Sequence, residues 1–352
     1  MPKSTQSSSP LRVLAGRRAY QQIQQQGLRA DDIQVLVGAS GGPKWFVLYG
    51  LDRYLLGEFF AKRQQPLHLL GSSAGAWRFS CYAQQQPLAA LERFAKAYST
   101  ICYPPGADSA LISHISAAII DDVFPAEADI AGVLANPVMQ LNVIVARAKR
   151  FKTGQPKWQQ VASLCMAAGA NLVKREHLQH FFQRVHFHLS ASQAPFLHSS
   201  SLATEHVAFS AENLKQAVLA SGSIPLVLDP IVDIAGAAKG LYIDGGITDY
   251  HFDLPFSPQG LVLYPHFYPK LTPGWFDKAL RWRRTAASTL DNVVILCPSA
   301  QWIASLPLGK IPDRTDFKLP DQQRIENWQQ VLSRSTELAE AFATGHYQLE
   351  PL

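Results

Sequence analysis

Residues 71–75 of the chain read GSSAG, and they follow the apolar run PLHLL at positions 66–70. A short apolar run that ends at a glycine predicts a buried strand leading into a tight turn and a helix. The spacing Gly-x-Ser-x-Gly is typical of a nucleophile elbow, in which Gly71 and Gly75 leave room for a sharp turn around Ser73. The Ser73 hydroxyl would then lie at the N-terminus of the following helix, where developing negative charge is stabilised.

A similar unit precedes this one in the chain. The β-branched run IQVLV at residues 33–37 predicts a strand, and a glycine-rich loop follows it at residues 38–42. Pro43 is well placed to begin a helix that extends to about residue 63. Two strand–loop–helix units in succession predict an α/β fold, with three α/β/α layers around a mostly parallel central sheet.

The other elements are predicted from periodicity and from the positions of glycine and proline. Helices are expected at residues 11–27, 161–184, 211–220 and 321–343, the last of which closes the chain, and strands at residues 141–146, 185–189, 241–243, 261–267 and 293–297. Residues 1–10 are polar and serine-rich, which predicts a disordered tail. Residues 11–352 contain no linker or repeat, so we expect a single domain.

The composition favours a globular protein of the cytoplasm. Hydrophobic residues make up 47% and charged residues 17%, so a large core is expected and part of the exposed surface should be apolar. The net charge of +5 favours anionic surfaces, although no nucleic-acid recognition motif is present. The cysteines lack CxxC spacing, which indicates reduced thiols, and no apolar stretch is long enough to span a bilayer, so any membrane contact should be peripheral. His186 and His188 share one strand face without further ligands nearby, so we predict no metal site.

A second serine fits the elbow pattern. Residues 38–42 read GASGG, which places Ser40 in the same Gly-x-Ser-x-Gly spacing after a predicted strand. Gly41 and Gly42 precede a helix and can present backbone N–H groups to an oxyanion, and Lys44 adds positive charge. We therefore predict that this first loop binds an anion and that Ser73, in the second loop at residues 71–75, is the nucleophile. A plain turn and a phosphate loop are alternatives, although the two common nucleotide-loop patterns are absent.

A serine nucleophile needs a general base within hydrogen-bond reach. Asp244 and two glycines directly follow the predicted strand 241–243, which places a carboxylate on a turn that substrate can approach. A free aspartate has a pKa of about 3.9, so it serves as a base only where burial raises that pKa. A histidine base, supplied by His251, His266 or His346, is the alternative, and a purely structural Asp-Gly turn is another.

Together these stretches resemble the patatin-like phospholipase family over about residues 33–256. The resemblance rests on GGPK at residues 41–44, on the GSSAG elbow at 71–75 and on DGG at 244–246. The segment ASGSIP at 220–225, with Asp-Pro shortly after it, is similar to the Ala-Ser-x-x-x-Pro segment that precedes the aspartate in this family.

The resemblance implies a patatin-like fold and a Ser-Asp dyad without histidine. Ser73 would be the nucleophile, Asp244 the base, and the loop containing Gly41, Gly42 and Lys44 the oxyanion hole. The implied substrate is a phospholipid, a lysophospholipid or another acyl ester, cleaved through an acyl-enzyme without a metal or other cofactor. Some relatives use calcium, ubiquitin or other activators. A catalytically silent member of the fold, which binds lipid or a protein partner, is the alternative to an enzyme.

The chain departs from the family pattern in two places. Trp45 stands where the family usually has a glycine, and residues 247–253 read ITDYHFD where many members carry Asn-Pro, which leaves Asp249 and Asp253 as further candidate bases. Beyond the resemblance, the basic and aromatic segment 275–284 predicts a surface helix. This helix would either cover the sheet as a solvated element or rest on an anionic bilayer.

Overall fold

The computed structural model describes residues 9–190, 194, 196, 202–252, 254, 256, 260–280, 282, 283, 285 and 287–352. Its strands are β1 (Leu11–Ala15), β2 (Ile33–Gly38), β3 (Leu67–Ser72), β4 (Met139–Ala148), β5 (Phe182–His188), β6 (Thr204–Ala208), β7 (Ile231–Val232), β8 (Leu241–Ile243), β9 (Leu261–Pro265), β10 (Val293–Pro298) and β11 (Gln348–Pro351). Its α-helices are α1 (Arg17–Gln26), α2 (Tyr49–Tyr54), α3 (Ala74–Tyr82), α4 (Pro87–Ser99), α5 (Ser109–Val123), α6 (Glu127–Leu134), α7 (Lys157–Val173), α8 (Leu214–Ser221), α9 (Ala300–Ala304), α10 (Asp321–Arg334) and α11 (Thr336–Ala343).

The strands form one sheet in the order β11-β1-β10-β9-β2-β3-β4-β5-β6, while β8 also pairs with β4, and β7 with β8. The central strands β10, β9, β2, β3 and β4 run parallel to one another, whereas β1 is antiparallel to β10 and β5 is antiparallel to β4. Almost every residue of these strands is buried, which indicates that helices cover the sheet on both faces. The predicted three-layer α/β/α fold with a mostly parallel sheet is therefore confirmed.

Four predicted helices differ from the structure. The helix expected over residues 161–184 ends at Val173 as α7, and residues 182–184 already belong to β5 because they pair with β4. Residues 11–27 form strand β1 and then α1, because β1 pairs with β10 and β11, which come from the far end of the chain. The helix expected over residues 43–63 is divided into a 3-10 turn (Gly42–Leu48), the helix α2 and a π turn (Leu55–Phe59). The expected terminal helix is the pair α10 and α11, and it does not close the chain because β11 follows it.

The basic aromatic segment is also shorter than a full surface helix. Trp275–Ala279 is a 3-10 helix that ends at Leu280. Arg281 and Arg284 lie outside the described residues. The prediction of a helix over the whole of 275–284 is therefore replaced, within the described part, by a short turn.

Helices α5 and α6 form a bent pair. The Asp108 side chain caps α5 by accepting a hydrogen bond from the Leu111 backbone N–H at 2.9 Å. Together the two helices reach the length and composition of a membrane span, but they are bent by 72°. Within the part of the chain that the structure describes, no single helix is long and apolar enough to cross a bilayer.

A buried ion pair joins α2 to α3, the helix that follows the elbow. Arg78 donates to Asp52 through Nε at 2.8 Å and through a terminal nitrogen at 2.5 Å, and Tyr82 donates its hydroxyl to the same carboxylate at 2.9 Å. All three side chains are buried. Burial raises the pKa of Asp52, and the charge and hydrogen bonds of Arg78 oppose that rise.

Arg78→Met should lower the free energy of unfolding by about 3–5 kcal/mol, because it leaves the Asp52 carboxylate buried without a charge partner. Arg17→Met is the matched control, since Arg17 forms an exposed pair with Asp291 at 3.2 Å. That change should cost about 1 kcal/mol or less. Urea denaturation of the two variants measures the difference, and equal costs would contradict the structural role of the buried pair.

Candidate active site

The C-terminal ends of β3 and β8 face each other along one edge of β4. β3 runs parallel to β4 and ends with Ser72 opposite Ile144. β8 runs antiparallel to β4 and ends with Ile243 opposite Ala146. Because β5 occupies the other edge of β4 along both stretches, β3 and β8 must share the remaining edge. The residues that follow the two strands are therefore brought together.

Those residues are Ser73 and Asp244. The Ser73 hydroxyl donates a hydrogen bond to Oδ2 of Asp244 at 2.9 Å, across a sequence separation of 171 residues. Both side chains are nearly buried, with 4% and 6% of their surface exposed. The structure thus brings together the two residues that the family resemblance pairs as nucleophile and base.

Ser73 lies at the apex of a sharp turn between β3 and α3. Its backbone angles, φ 52° and ψ −128°, are sparsely populated by residues other than glycine. At Gly75 a Cβ atom would lie 2.0 Å from the carbonyl oxygen of Gly38, so the elbow packs directly against the end of β2. These features agree with the geometry of a nucleophile elbow.

The segment 220–225 connects the elbow at residues 71–75 to the turn at residues 244–246, which is called the aspartate turn. Ser221 Oγ accepts a hydrogen bond from the Ser73 backbone N–H at 2.8 Å and donates to the Ile144 carbonyl at 2.7 Å. The Asp244 backbone N–H donates to the carbonyl of Ser223 at 2.8 Å. One short segment therefore positions both members of the candidate dyad.

The first glycine loop lies beside the elbow. Gly42 has φ 56°, a left-handed conformation that favours glycine, and Gly41 lines the same cavity as Ser73. Within the described part of the chain, no backbone or side-chain acceptor takes the N–H groups of Gly41 and Gly42. These two donors therefore stay candidates for the oxyanion hole. Lys44, which the sequence placed in the same hole, instead lines a neighbouring pocket.

In the described hydrogen bonds, the Ser40 hydroxyl contacts another serine rather than Asp244. The Ser40 hydroxyl lies 2.5 Å from the hydroxyl of Ser72, which in turn donates to the Asp249 carbonyl at 2.7 Å. The Ser40 backbone N–H donates to the Tyr250 carbonyl at 3.0 Å. Ser40 therefore connects the first loop to the aspartate turn and does not contact the Asp244 carboxylate in the described hydrogen bonds.

Buried cations hold the segment that follows Asp244. Arg184 of β5 donates two hydrogen bonds to the Asp249 carboxylate, at 2.7 and 2.5 Å. Arg175 donates to the backbone carbonyl of Thr248. These contacts show how the segment is held without the Asn-Pro pair, and they commit Asp249 to an ion pair rather than to catalysis. Asp253 lies outside the described residues.

The environment of Asp244 suits a general base. Burial raises the pKa of Asp244, whereas the Arg314 charge, the hydrogen bonds from Gly246 and Ser73, and the Lys278 charge all oppose the rise. The Gly246 N–H bond to Oδ1 is 2.7 Å long. A carboxylate with a raised pKa accepts a proton more readily than a free aspartate does.

Three cations, Lys44, Lys278 and Arg314, lie near Asp244 and Tyr250. Lys278 Nζ lies 3.8 Å from the centre of the Tyr250 ring. Burial and the charges of Arg314 and Lys44 together lower the pKa of Lys278 to about 7, against the opposing charge of Asp244. Burial also lowers the pKa of Lys44. Among the residues that the structure describes, none of the three cations forms an ion pair or hydrogen bond.

The histidines considered as bases do not contact Ser73 in the described hydrogen bonds. His251 Nδ1 accepts from the Thr272 backbone N–H at 2.9 Å, and His266 Nδ1 accepts from that of Tyr268 at 2.9 Å. Burial lowers the pKa of His266 to about 3 and that of His251 well below its usual range. His346 is exposed just before β11, the edge strand furthest from β6.

Ser73 and Asp244 line an apolar cavity of about 200 Å³. A second cavity of about 290 Å³ shares Ile224, Val227 and Arg314 with it. The remaining walls of the second cavity are mainly aromatic and aliphatic, formed by Trp77, Tyr98, Ile101, Tyr103, Ile112, Ile119, Leu228 and Phe317. Ser73 therefore lies at one of two neighbouring apolar cavities, which suit a hydrocarbon chain.

Several of these residues were not identified as site residues from the sequence. Arg175 and Arg184 gave no signal, because their partners lie more than sixty positions away. Lys278 was noted only as part of a basic surface segment, and Arg314 lies in a region that the resemblance does not cover. Uncompensated charge is a property of the assembled site, so no local pattern could have revealed it.

Comparisons with known proteins give little further information. No known family profile matches the chain, and no curated protein matches it in sequence. Among solved structures, VipD from Legionella pneumophila is similar at a TM-score of 0.33 and 12% identity, over 77% of this chain and 56% of VipD. The chain thus spans little more than half the length of VipD, and a similarity this low carries no argument about function.

Arg314→Met should move the acid limb of Ser73 reactivity to higher pH. The Arg314 charge lowers the pKa of Asp244, so its removal should raise that pKa, and the ionised base would be lost at a higher pH. The rate of Ser73 labelling by a fluorophosphonate, followed against pH, measures the shift. Lys318→Met removes an exposed cation from the same 3-10 helix and should leave the profile unchanged. An unshifted profile in both variants would argue against Asp244 as the base.

Proposed function

We propose that the protein is a serine acyl hydrolase of the patatin-like type that cleaves a carboxylic ester of an acyl lipid. The observation that carries this proposal is the 2.9 Å hydrogen bond from the Ser73 hydroxyl to Asp244 beside an apolar cavity. The ordered motifs of the glycine loop, the elbow and the aspartate turn support the same reaction. A histidine-based esterase lacks a comparable contact within the described residues.

In the first half of the reaction, Asp244 takes the proton of the Ser73 hydroxyl as Oγ attacks the ester carbonyl carbon. The carbonyl oxygen gains negative charge, which the N–H groups of Gly41 and Gly42 would stabilise. When the tetrahedral intermediate collapses, the ester C–O bond breaks and Asp244 returns the proton to the leaving alcohol. An acyl group then remains on Ser73.

In the second half, Asp244 takes a proton from a water molecule that attacks the acyl-enzyme. The tetrahedral intermediate forms again at the same donors, and its collapse releases the carboxylic acid and restores the Ser73 hydroxyl. Ser221 has a positioning role in both halves, since its hydroxyl holds the Ser73 backbone N–H. The two neighbouring apolar cavities would accept the acyl chain.

The substrate should also carry an anionic group close to its ester. Lys44, Lys270 and Lys278 line a pocket that shares Tyr250 with the catalytic cavity. Lys44 is half-buried and the other two lysines are exposed, and none of the three forms an ion pair within the described residues. An anion bound between them would be attracted by all three charges. The phosphate of a phospholipid or lysophospholipid is an anion of this kind.

Ser73→Ala should lower the rate of hydrolysis by about 10⁴-fold or more across a panel of phospholipids, lysophospholipids and neutral acyl esters. Ser40→Ala is the matched control because it removes a buried hydroxyl that makes one neutral hydrogen bond, and it should cost about tenfold or less. Release of free fatty acid measures both rates. Full activity of the Ser73 variant, or failure of a fluorophosphonate to label Ser73 in the wild-type protein, would refute the proposed reaction.

Lys278→Met should lower kcat/KM about tenfold for substrates with a phosphate and leave neutral esters of the same chain length unaffected. Because the pKa of Lys278 is about 7, the wild-type preference for the phosphate substrate should weaken as pH rises through that value. Lys278→Arg should retain the preference, and Lys318→Met should behave as wild type. Equal losses on both substrate classes would contradict an anion-binding role for Lys278.

A further inference from the structure

Helix α7 presents an apolar face to solvent. Along its 17 residues the outward positions are Trp158, Val161, Cys165, Met166, Leu172 and Val173, with small residues between them. Trp158 is 68% exposed, Met166 55% and Val173 77%. With the exposed Ala162, Ala168 and Gly169 included, the outward positions recur every three to four residues and form one stripe along the helix. An exposed apolar stripe of this length marks an interaction surface rather than an ordinary solvated helix.

Basic residues precede the N-terminal end of this stripe in the chain. Lys149, Arg150, Lys152 and Lys157 lie just before α7 or at its first residue, and all four are exposed. The helix itself contains no acidic residue, and Lys157 is its one charged side chain. Tryptophan and aliphatic side chains on one face, flanked by lysine and arginine, are the features of a helix that lies in the headgroup region of an anionic bilayer.

The opposite face of α7 forms part of the catalytic cavity. Leu164 points inward and lines the cavity that contains Ser73. Asn171 is buried and donates to Asp277 at 2.7 Å, which ties the helix to the 3-10 turn of Trp275. Trp275 also lines the cavity and is partly exposed. A single helix thus separates the catalytic cavity from the apolar outer surface.

We propose that the outward face of α7 docks on an anionic lipid bilayer and so places the catalytic cavity next to the membrane. The apolar stripe would insert among the headgroups, and the lysines and Arg150 would contact lipid phosphates and carboxylates. The purpose of docking rests on the proposed function, since it would deliver lipid to Ser73. The docking itself requires neither Ser73 nor hydrolysis, so it can be tested separately.

Vesicle flotation with the full-length Ser73→Ala protein tests the docking while leaving the lipids intact. The protein should bind vesicles of phosphatidylcholine mixed with phosphatidylserine and should bind phosphatidylcholine alone more weakly. Met166→Glu should weaken binding to the mixed vesicles about tenfold, because a charge replaces a buried apolar contact. Leu88→Glu is the matched control, since Leu88 is a 41% exposed apolar residue on α4, and it should bind as the parent does.

Two further measurements separate the apolar and electrostatic parts of the surface. Lys152→Gln combined with Lys157→Gln should lower the ratio of binding to mixed vesicles over binding to phosphatidylcholine vesicles about tenfold. With Cys102 changed to serine, an environment-sensitive dye on the exposed Cys165 should shift to shorter wavelength on mixed vesicles, and Met166→Glu should abolish the shift.

Three outcomes would overturn the proposal. The first is absence of binding to mixed vesicles, and the second is unchanged binding of the Met166→Glu variant. The third is a dimer in solution that Met166→Glu dissociates, because the face would then belong to a second copy of the chain. Vesicle binding without hydrolysis by the wild-type protein would refute the proposed function and leave the docking intact. The circular dichroism spectrum and thermal unfolding of the Met166→Glu variant should match those of its parent, which checks that the variant is folded.

Discussion

The site depends on the shared edge of β4. A strand has two hydrogen-bonding edges, and β5 occupies one of them, so β3 and β8 must divide the other. β3 is parallel to β4 and β8 is antiparallel to it, so the two strands run toward each other and stop a residue apart. The turns that follow them carry Ser73 and Asp244. The pairing of β3 and β8 with β4 therefore brings these two side chains within hydrogen-bonding distance of each other.

Buried charge then fixes the loops around this junction. Asp249 is neutralised by Arg184, and its own backbone carbonyl accepts from Ser72, so a single residue joins the aspartate turn to β5 and to β3. Ion pairs of this kind are costly to desolvate and contribute little net stability. They do, however, penalise any arrangement that leaves one partner alone. Here that penalty favours one position of the aspartate turn, and therefore one position of the carboxylate.

The site combines uncompensated cations with apolar walls. Arg314 and Lys278 have no acidic partner in the described part of the chain, and both act electrostatically on Asp244. Their effect opposes burial, so the carboxylate stays available in its ionised form while remaining a better base than a free aspartate. The same cations would favour an anionic group on the substrate. Helix α7 contributes to both the cavity and the protein surface. Leu164 lines the cavity, and the opposite face of the helix is apolar and exposed.

Local patterns determined much of the architecture. Apolar runs followed by glycine-containing turns located β2, β3 and β8, and the succession of strands and helices predicted a mostly parallel sheet with helices on both faces. Glycine positions located the elbow and the first loop, since a sharp turn and a left-handed backbone at Gly42 are properties that nearby residues specify. The aspartate turn was also recognisable. Local patterns failed at residues 11–15, which join the sheet only because the far end of the chain supplies β10 and β11.

Which serine lies beside the carboxylate was decided by tertiary structure. Ser40 and Ser73 occupy equivalent sequence patterns, and the family resemblance favoured Ser73 without any physical contact to support it. The structure separates them because only β3 ends opposite β8, so the Ser73 hydroxyl reaches Asp244 while the Ser40 hydroxyl meets Ser72. The cations near Asp244 were likewise invisible in the sequence. Proximity and desolvation arise between residues far apart in the chain, and a sequence pattern carries no information about either until the strands have paired.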